Sequence, residues 1–238
     1  MIGLIIAAGK QTRFKSEIPK ALQKLNNEET ILDHNINVLN QVCNTVYVVN
    51  SFYNKKWFKS YNQITINSGL GSGHAIGEAI KTLKTDLNES VIIIWGDSIQ
   101  DKDLCEEMIK HYKSNYCDKD VEMLVPTEKI NNPYTHFEVD NRDYIQKVLF
   151  KKYEAVPDFG NHDLSIFLIP NIGKLCKYIN EYNNKFFRVN KYTNKDNGEF
   201  EFLDLFNYTK INGQIYESGC KSQSFNTIDE YNKLISEV

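Results

Sequence analysis

Through its first half the chain alternates short aliphatic runs with stretches of helical spacing. Ile2 to Ile6, Val46 to Asn50, Gln63 to Asn67 and Val91 to Trp95 read as strands. The unbroken apolar character of the first and last marks strands buried on both faces of a parallel sheet. Leu25, Ile31, Leu32, His34, Ile36 and Leu39 predict a helix over about residues 30 to 41. Trp57, Phe58 and Tyr61 suggest a short helical turn, and Ile76, Ala79, Ile80 and Leu83 predict another helix, followed by one over Lys102 to Tyr112. Helices between aliphatic strands imply βαβ units. From Val121 to Val125 onward strands dominate: Thr135 to Val139, Ile145 to Phe150 and Leu164 to Ile169, with a hairpin turn at Asn141-Arg142-Asp143. A helix follows over Asn171 to Asn183. Tyr192 to Gly198 is polar and expected to be mobile. Glu199 to Phe206 opens another helix, Ile215 to Ser218 is a strand, Gly219 to Ser224 is polar, and Thr227 with Glu230 forms a capping box for a terminal helix.

At 238 residues, with 41% hydrophobic and 25% charged positions, the chain can bury a substantial core as one domain, 1–238. A net charge of −3 disfavours a dedicated nucleic-acid binder. Cys43, Cys105, Cys117, Cys176 and Cys220 are odd in number and form no C-x-x-C pair, as expected of reduced thiols. The apolar start is too short for a signal peptide, and no run approaches the ~20 residues of a membrane span. The expectation is a cytoplasmic protein with neither membrane nor nucleic-acid partner.

Chemistry concentrates in the first loop, Ala7-Ala8-Gly9-Lys10-Gln11-Thr12-Arg13, completed by Pro19-Lys20-Ala21-Leu22. Small residues let backbone N–H groups approach an anion, and cations neutralise it, so the loop reads as a polyphosphate grip or an ordinary strand-to-helix turn. No Gly-Lys-Ser/Thr follows, which excludes the P-loop motif. Gly69-Leu70-Gly71-Ser72-Gly73-His74-Ala75 permits close approach of a flat ligand or phosphate, or serves as a connector. Asp97 follows the strand Val91 to Trp95, where open α/β sheets place their chemistry. It could hold Mg²⁺ against a triphosphate or cap a helix. The five histidines show no metal-ligand spacing, which argues against zinc. His136 and His162 could touch a substrate, while Phe186 and Phe187 beside Arg188 could line a pocket or pack.

Taken together, these motifs resemble the nucleotidyltransferases that activate phosphorylated metabolites, above all the uridylyltransferase half of the bacterial N-acetylglucosamine-1-phosphate enzyme and related cytidylyltransferases. The likeness rests on Ala7-Ala8-Gly9-Lys10-x-Thr12-Arg13 with Pro19-Lys20-x-Leu22, on Leu70 to Ala75, on Gly96-Asp97, on Gly198-Glu199-Phe200 through Asp204, and on Asn226-Thr227. It implies a Rossmann-like mixed, mostly parallel sheet flanked by helices, of the nucleotide-diphospho-sugar transferase (GT-A-like) kind, with an inserted antiparallel part. Residues of about 1–120 would form the nucleotide-binding half and 121–238 the acceptor-binding half. A homodimer would match relatives, although the residues themselves are silent on it.

The resemblance implies catalytic roles for Lys20 and Arg13. Nucleotide binding would fall to Ala7, Ala8, Gly9, Lys10, Gln11, Thr12, Arg13, Gly71, Ser72 and Gly73, and Mg²⁺ binding to Asp97 and Asn226. Gln11 replaces the family's second loop glycine. Ile66-Asn67-Ser68 replaces the glutamine that reads uracil, which favours CTP over UTP. Lys151 and Lys152 stand where sugar-specific members carry a carboxylate, so an acceptor more anionic than a hexose phosphate is expected, with Lys151, Lys152, His136 and Asp163 around it. These departures look similar to capsule-pathway cytidylyltransferases that join CMP to phosphoglutamine. A sugar-1-phosphate nucleotidyltransferase using UTP or CTP and a non-catalytic nucleotide-binding regulator remain alternatives. A glycosyltransferase would typically carry an Asp-x-Asp motif, and none follows the fourth strand.

Overall fold

The computed structural model describes every residue except 10–13, 15, 68, 117–118, 226 and 237–238. Lys10, Gln11, Thr12, Arg13 and Asn226, all assigned above to phosphate or metal, therefore lie outside the described residues.

The aliphatic runs become the centre of the sheet. In chain order the first half contains β1 (Ile2–Ile6), α1 (Ile31–Asn40), β2 (Thr45–Ser51), β3 (Gln63–Ile66), α2 (Ser72–Thr82), β4 (Val91–Trp95), β5 (Ser98–Gln100) and α3 (Leu104–Asn115). The second contains β6 (Met123–Asn131), β7 (Thr135–Val139), β8 (Ile145–Phe150), β9 (Phe159–Asp163), β10 (Ile166–Ile169), α4 (Ile172–Phe186), β11 (Phe187–Arg188), β12 (Lys191–Tyr192), α5 (Asp204–Tyr208), β13 (Gly213–Glu217), β14 (Ser222–Ser224) and α6 (Ile228–Ser236).

An eight-stranded mixed sheet runs in the order β13-β6-β10-β4-β1-β2-β3, with β9 also pairing β6. Strands β1 to β4 are parallel to their neighbours in this block, and β10 enters antiparallel between β4 and β6. Alternate side chains of each strand enter opposite layers. Leu4, Val91 and Ile93 pack with Ile76 and Ala79 of α2 and Leu175 and Ile179 of α4. Ile5, Ile92 and Ile94 pack with Leu32 and Leu39 of α1 and Met108 of α3. Thr30 and Asp33 close a capping box at the start of α1.

The structure departs from the sequence reading where polar residues pair. β6 continues to Asn131 because β9, a strand of sequence Phe-Gly-Asn-His-Asp, lines its second half. Partners pass from Thr127↔Asp163 to Leu124↔Leu168, a two-residue slip at Leu164–Ser165 that places Ser165 at φ 61°. β5 and β14 form a separate polar ribbon. The β7–β8 hairpin turns at the expected residues, with the Asp140 carboxylate accepting from the N–H groups of Arg142 and Tyr144. Beyond α4, Val189 and Asn190 at φ 45° and 61° form the two-residue turn of the β11–β12 hairpin.

The helix expected from Glu199 begins only at Asp204, and the stretch expected to be mobile is tied down. Tyr192 is 1% exposed, and Lys195 reaches Asp204 in an ion pair of 2.7 Å. Among the described residues no helix is long and apolar enough to cross a membrane.

Candidate functional site

Parallel pairing brings Ile6 of β1 opposite Trp95 of β4, so the residues that follow both strands meet at one end of the sheet. The Ala7 N–H donates to Val49 and the Asn54 side-chain amide donates to the Ala7 carbonyl, each at 2.8 Å. The Gly96 N–H reaches the Ile6 carbonyl at 3.0 Å, and a Cβ on Gly96 would press on that same oxygen. The closeness of the two strand ends therefore depends on Gly96. Beyond them opens a cavity of about 720 Å³ lined by Ala8, Gly9, Lys20, Gly71, Ser72 and Asp97 at one side. Thr135, Lys152, Tyr153, His162, Asp163, Glu199 and Glu201 line it too. Ala7 is buried and Gly73 lies behind the wall, so neither lines the space.

Lys20 begins a single helical turn after Pro19 and is 8% exposed. Its ammonium donates to Asp97 Oδ2 at 3.1 Å and to the Phe225 carbonyl at 3.0 Å, with the rings of Phe14 and Phe225 within 6 Å. Asp97 keeps a 42% exposed side chain. Its second oxygen carries no hydrogen bond among the described residues. That is a hard, water-facing donor beside a fixed cation. Among the described residues no group of three or more His, Cys, Asp and Glu could hold a metal alone. A single carboxylate nevertheless fits Mg²⁺, which completes its shell with phosphate oxygens and water.

The glycine segment serves the protein first. Gly71 sits at φ 97°, and a Cβ there would lie 2.4 Å from the Phe200 carbonyl oxygen; one on Gly73 would meet the Phe200 ring at 2.7 Å. The Gly73 N–H donates to Phe200, the Phe200 N–H to Leu70, and the Phe202 N–H to Ser72 Oγ. The close approach these glycines allow is thus filled by Phe200, which stacks on Tyr182 at 3.9 Å. Phe186 and Phe187 belong to the same aromatic cluster and pack rather than line the cavity.

Because residues 199 to 203 precede α5 in non-helical backbone, Phe200 enters the core while Glu199 and Glu201 reach the cavity. Lys152 lies 3.5 Å from both carboxylates. Burial works to lower its pKa, but the Tyr153 hydroxyl and the Glu201 and Glu199 charges outweigh it and hold the ammonium above the usual lysine range. This wall therefore carries both signs of charge.

Lys151 points elsewhere, donating to Asn132 Oδ1 at 2.7 Å, and does not line the cavity. His136 does not either: its ring packs against Gly160, and burial, partly offset by Glu138, lowers its pKa. In its place stand Thr135 and His162. Thr135 Oγ1 donates to Asp163 Oδ2 at 2.5 Å and lies 3.1 Å from His162 Nδ1. Glu199 and Glu201 have no role that sequence alone predicts; their alternation around a core phenylalanine is the signal that sends both toward the cavity.

A family model described as MobA-like NTP transferase domain matches residues 3–154. The Bifunctional protein GlmU of Vesicomyosocius okutanii is 33% identical over 99 residues, covering 40% of this chain and 21% of that protein. The chain thus spans about a fifth of that relative's length. Among solved structures, UDP-glucose pyrophosphorylase complexed with UDP-glucose superposes with a TM-score of 0.73 at 15% identity, covering 99% of this chain and 97% of that one. HddC from Yersinia pseudotuberculosis complexed with GMP-PN gives 0.69 at 15% identity, covering 99% and 98%. The mixed, mostly parallel sheet with flanking helices is shared with these neighbours.

Proposed function

The chain belongs to the MobA-like NTP transferase domain family, and on that premise we propose that it transfers CMP from CTP to a small phosphorylated acceptor, phosphoglutamine foremost, with release of pyrophosphate. The observation that carries this reading is the buried Lys20 ammonium held against Asp97 at the joint carboxyl end of β1 and β4, inside a cavity whose far wall is polar. Nucleotides in the two structural neighbours support it.

The acceptor phosphate is already anionic and needs no general base, so the residues act by alignment and charge neutralisation. Ala8 and Gly9, with Lys10, Gln11, Thr12 and Arg13, are assigned to the β and γ phosphates. Lys20 is assigned to the α phosphate and the attacking oxygen. Asp97, with Asn226, is assigned to Mg²⁺, which when bound neutralises phosphate charge. Ile66 and Asn67 in place of a uracil-reading glutamine support CTP. A phosphorylated amino acid meets both charges of the far wall, its carboxylate facing Lys152 and its ammonium facing Glu199 and Glu201. A second reading, a sugar 1-phosphate, draws on the same two glutamates and Asp163 as acceptors for hydroxyls.

Pyrophosphate release from each of the four nucleoside triphosphates is measured against phosphoglutamine, N-acetylglucosamine 1-phosphate and other small phosphates. CTP with phosphoglutamine should be turned over, and Lys20→Ala should cost about 10²- to 10³-fold in kcat, as loss of one positioned transition-state donor does. Release from a sugar 1-phosphate alone would replace the acceptor, a preference for UTP would replace the nucleotide, and no release from any pair would overturn the transferase reading.

A further inference from the structure

His162 is more than a wall residue, because its neighbours dictate where its proton sits. Asp163 is 5% exposed; its Oδ1 accepts the Ser165 N–H at 3.0 Å and its Oδ2 the Thr135 hydroxyl at 2.5 Å. A carboxylate only accepts, so the single hydroxyl proton of Thr135 is committed to it. What Thr135 then shows His162 Nδ1 is a lone pair at 3.1 Å, and the Thr135 carbonyl oxygen at 3.4 Å is a second acceptor. Two acceptors fix the proton on Nδ1. A neutral imidazole has one N–H, so Nε2, which makes no hydrogen bond among the described residues, is bare on a residue that lines the cavity.

We propose that His162 is a specificity-determining residue for the second substrate: locked in its Nδ1–H form by Thr135 and Asp163, it accepts a hydrogen bond at Nε2 and so selects acceptors that carry an N–H or O–H donor there. This rests on the reading of the far wall as the acceptor site. The two-residue slip between β9 and β10 supports it, since Ser165 enters the left-handed region and aims its N–H at Asp163, anchoring the relay from behind.

The test uses the whole chain with ¹⁵N-labelled histidine. The neutral form of the His162 ring should report the Nδ1–H tautomer, and Thr135→Val should redistribute it toward Nε2–H. Adding phosphoglutamine or N-acetylglucosamine 1-phosphate should shift the Nε2 resonance, whereas methyl phosphate, which offers no donor besides its phosphate, should not. In turnover, His162→Gln, whose amide oxygen takes the place of Nε2, should stay within about fivefold of the parent in kcat/KM for the acceptor. His162→Asn, which cannot reach, should lose about 10- to 100-fold with the KM for nucleotide unchanged. An Nε2–H tautomer in the resting protein, an unmoved Nε2 resonance with both donor-bearing probes, or an Asn variant as active as the parent would overturn the proposal. Absence of turnover in the parent would remove the transfer reading, while the tautomer and the titration would still decide the role of His162.

Discussion

Lys195→Met isolates the ion pair that fastens the far wall. Lys195 and Asp204 have side chains 10% and 1% exposed, 2.7 Å apart, and Lys195 lies 4.6 Å and 4.2 Å from the ring centres of Phe150 and Tyr153. Methionine keeps an apolar stem between the rings but leaves Asp204, among the described residues, the Tyr182 hydroxyl at 3.3 Å and the Glu201 N–H at 3.2 Å. Removing one partner of a buried pair costs about 3–5 kcal/mol, against ~1 kcal/mol or less for an exposed one. Burial already pushes the Asp204 carboxyl upward, and Lys195 is the chief opposing influence. In the variant the folded pKa rises further above the unfolded one. Stability linked to this group is then intact below the unfolded pKa and lost as pH climbs through the folded pKa, so the deficit relative to the parent should grow toward neutral pH. Urea unfolding followed by far-ultraviolet circular dichroism across acidic and neutral pH measures it. The double variant Lys195→Met with Asp204→Asn, which buries no charge, should recover most of the loss. A single-variant loss under about 1 kcal/mol at neutral pH, or a double variant no better than the single, would refute the reasoning.

Two further outcomes follow from backbone and burial. Gly71→Ala adds about 1–3 kcal/mol of backbone strain at a positive-φ, extended-ψ position that is essentially glycine's alone to a Cβ 2.4 Å from the Phe200 carbonyl, so it should lower the unfolding midpoint well beyond a surface substitution; an unchanged melt would contradict the packing described. His74, His111 and His136 are held below the ordinary histidine pKa chiefly by burial, against Glu78, Glu107 and Glu138. Their contribution is present above the unfolded value and lost as pH falls through the folded one, at up to ~1.4 kcal/mol per pH unit for each. Unfolding midpoints should therefore drop below about pH 6.5, less so in His74→Gln, and a flat profile would refute this.

The parallel block was legible because Val91 to Trp95 or Ile2 to Ile6 admits no other placement than a doubly covered strand. What escaped was polar structure whose partner is remote in sequence. β9 looks like a loop because His162 and Asp163 meet a cavity and a hydroxyl, and Asn161 a backbone carbonyl, rather than a core. Lys195 looked solvated, since a buried ion pair and a wet lysine have the same spelling. Lys152 reads from sequence as a cation for an anion alone; Glu199 and Glu201, nearly fifty residues on, stand beside it and give the same wall the opposite charge as well. The glycines from 69 to 73 read from sequence as room for a flat ligand or a phosphate, whereas Gly71 and Gly73 close on Phe200, a partner more than a hundred residues away that spacing does not reveal. Lys20 and Asp97 were brought together as expected, because a loop after β1 and a residue after β4 must share one end of a parallel sheet.

The position of β10 between β4 and β6 sets the order in which this protein can be made. β4 is complete once Trp95 has been synthesised, yet its outer neighbour begins only at Ile166. At about 5–20 residues per second, the intervening stretch of about 70 residues takes several seconds to leave the ribosome. For that interval Val91 to Trp95 presents an unpaired apolar edge of the kind that invites wrong pairing. A chain released at residue 154 would never close it. The antiparallel strand that fills the core between β4 and β6 is also the one that ends the nascent sheet's vulnerability.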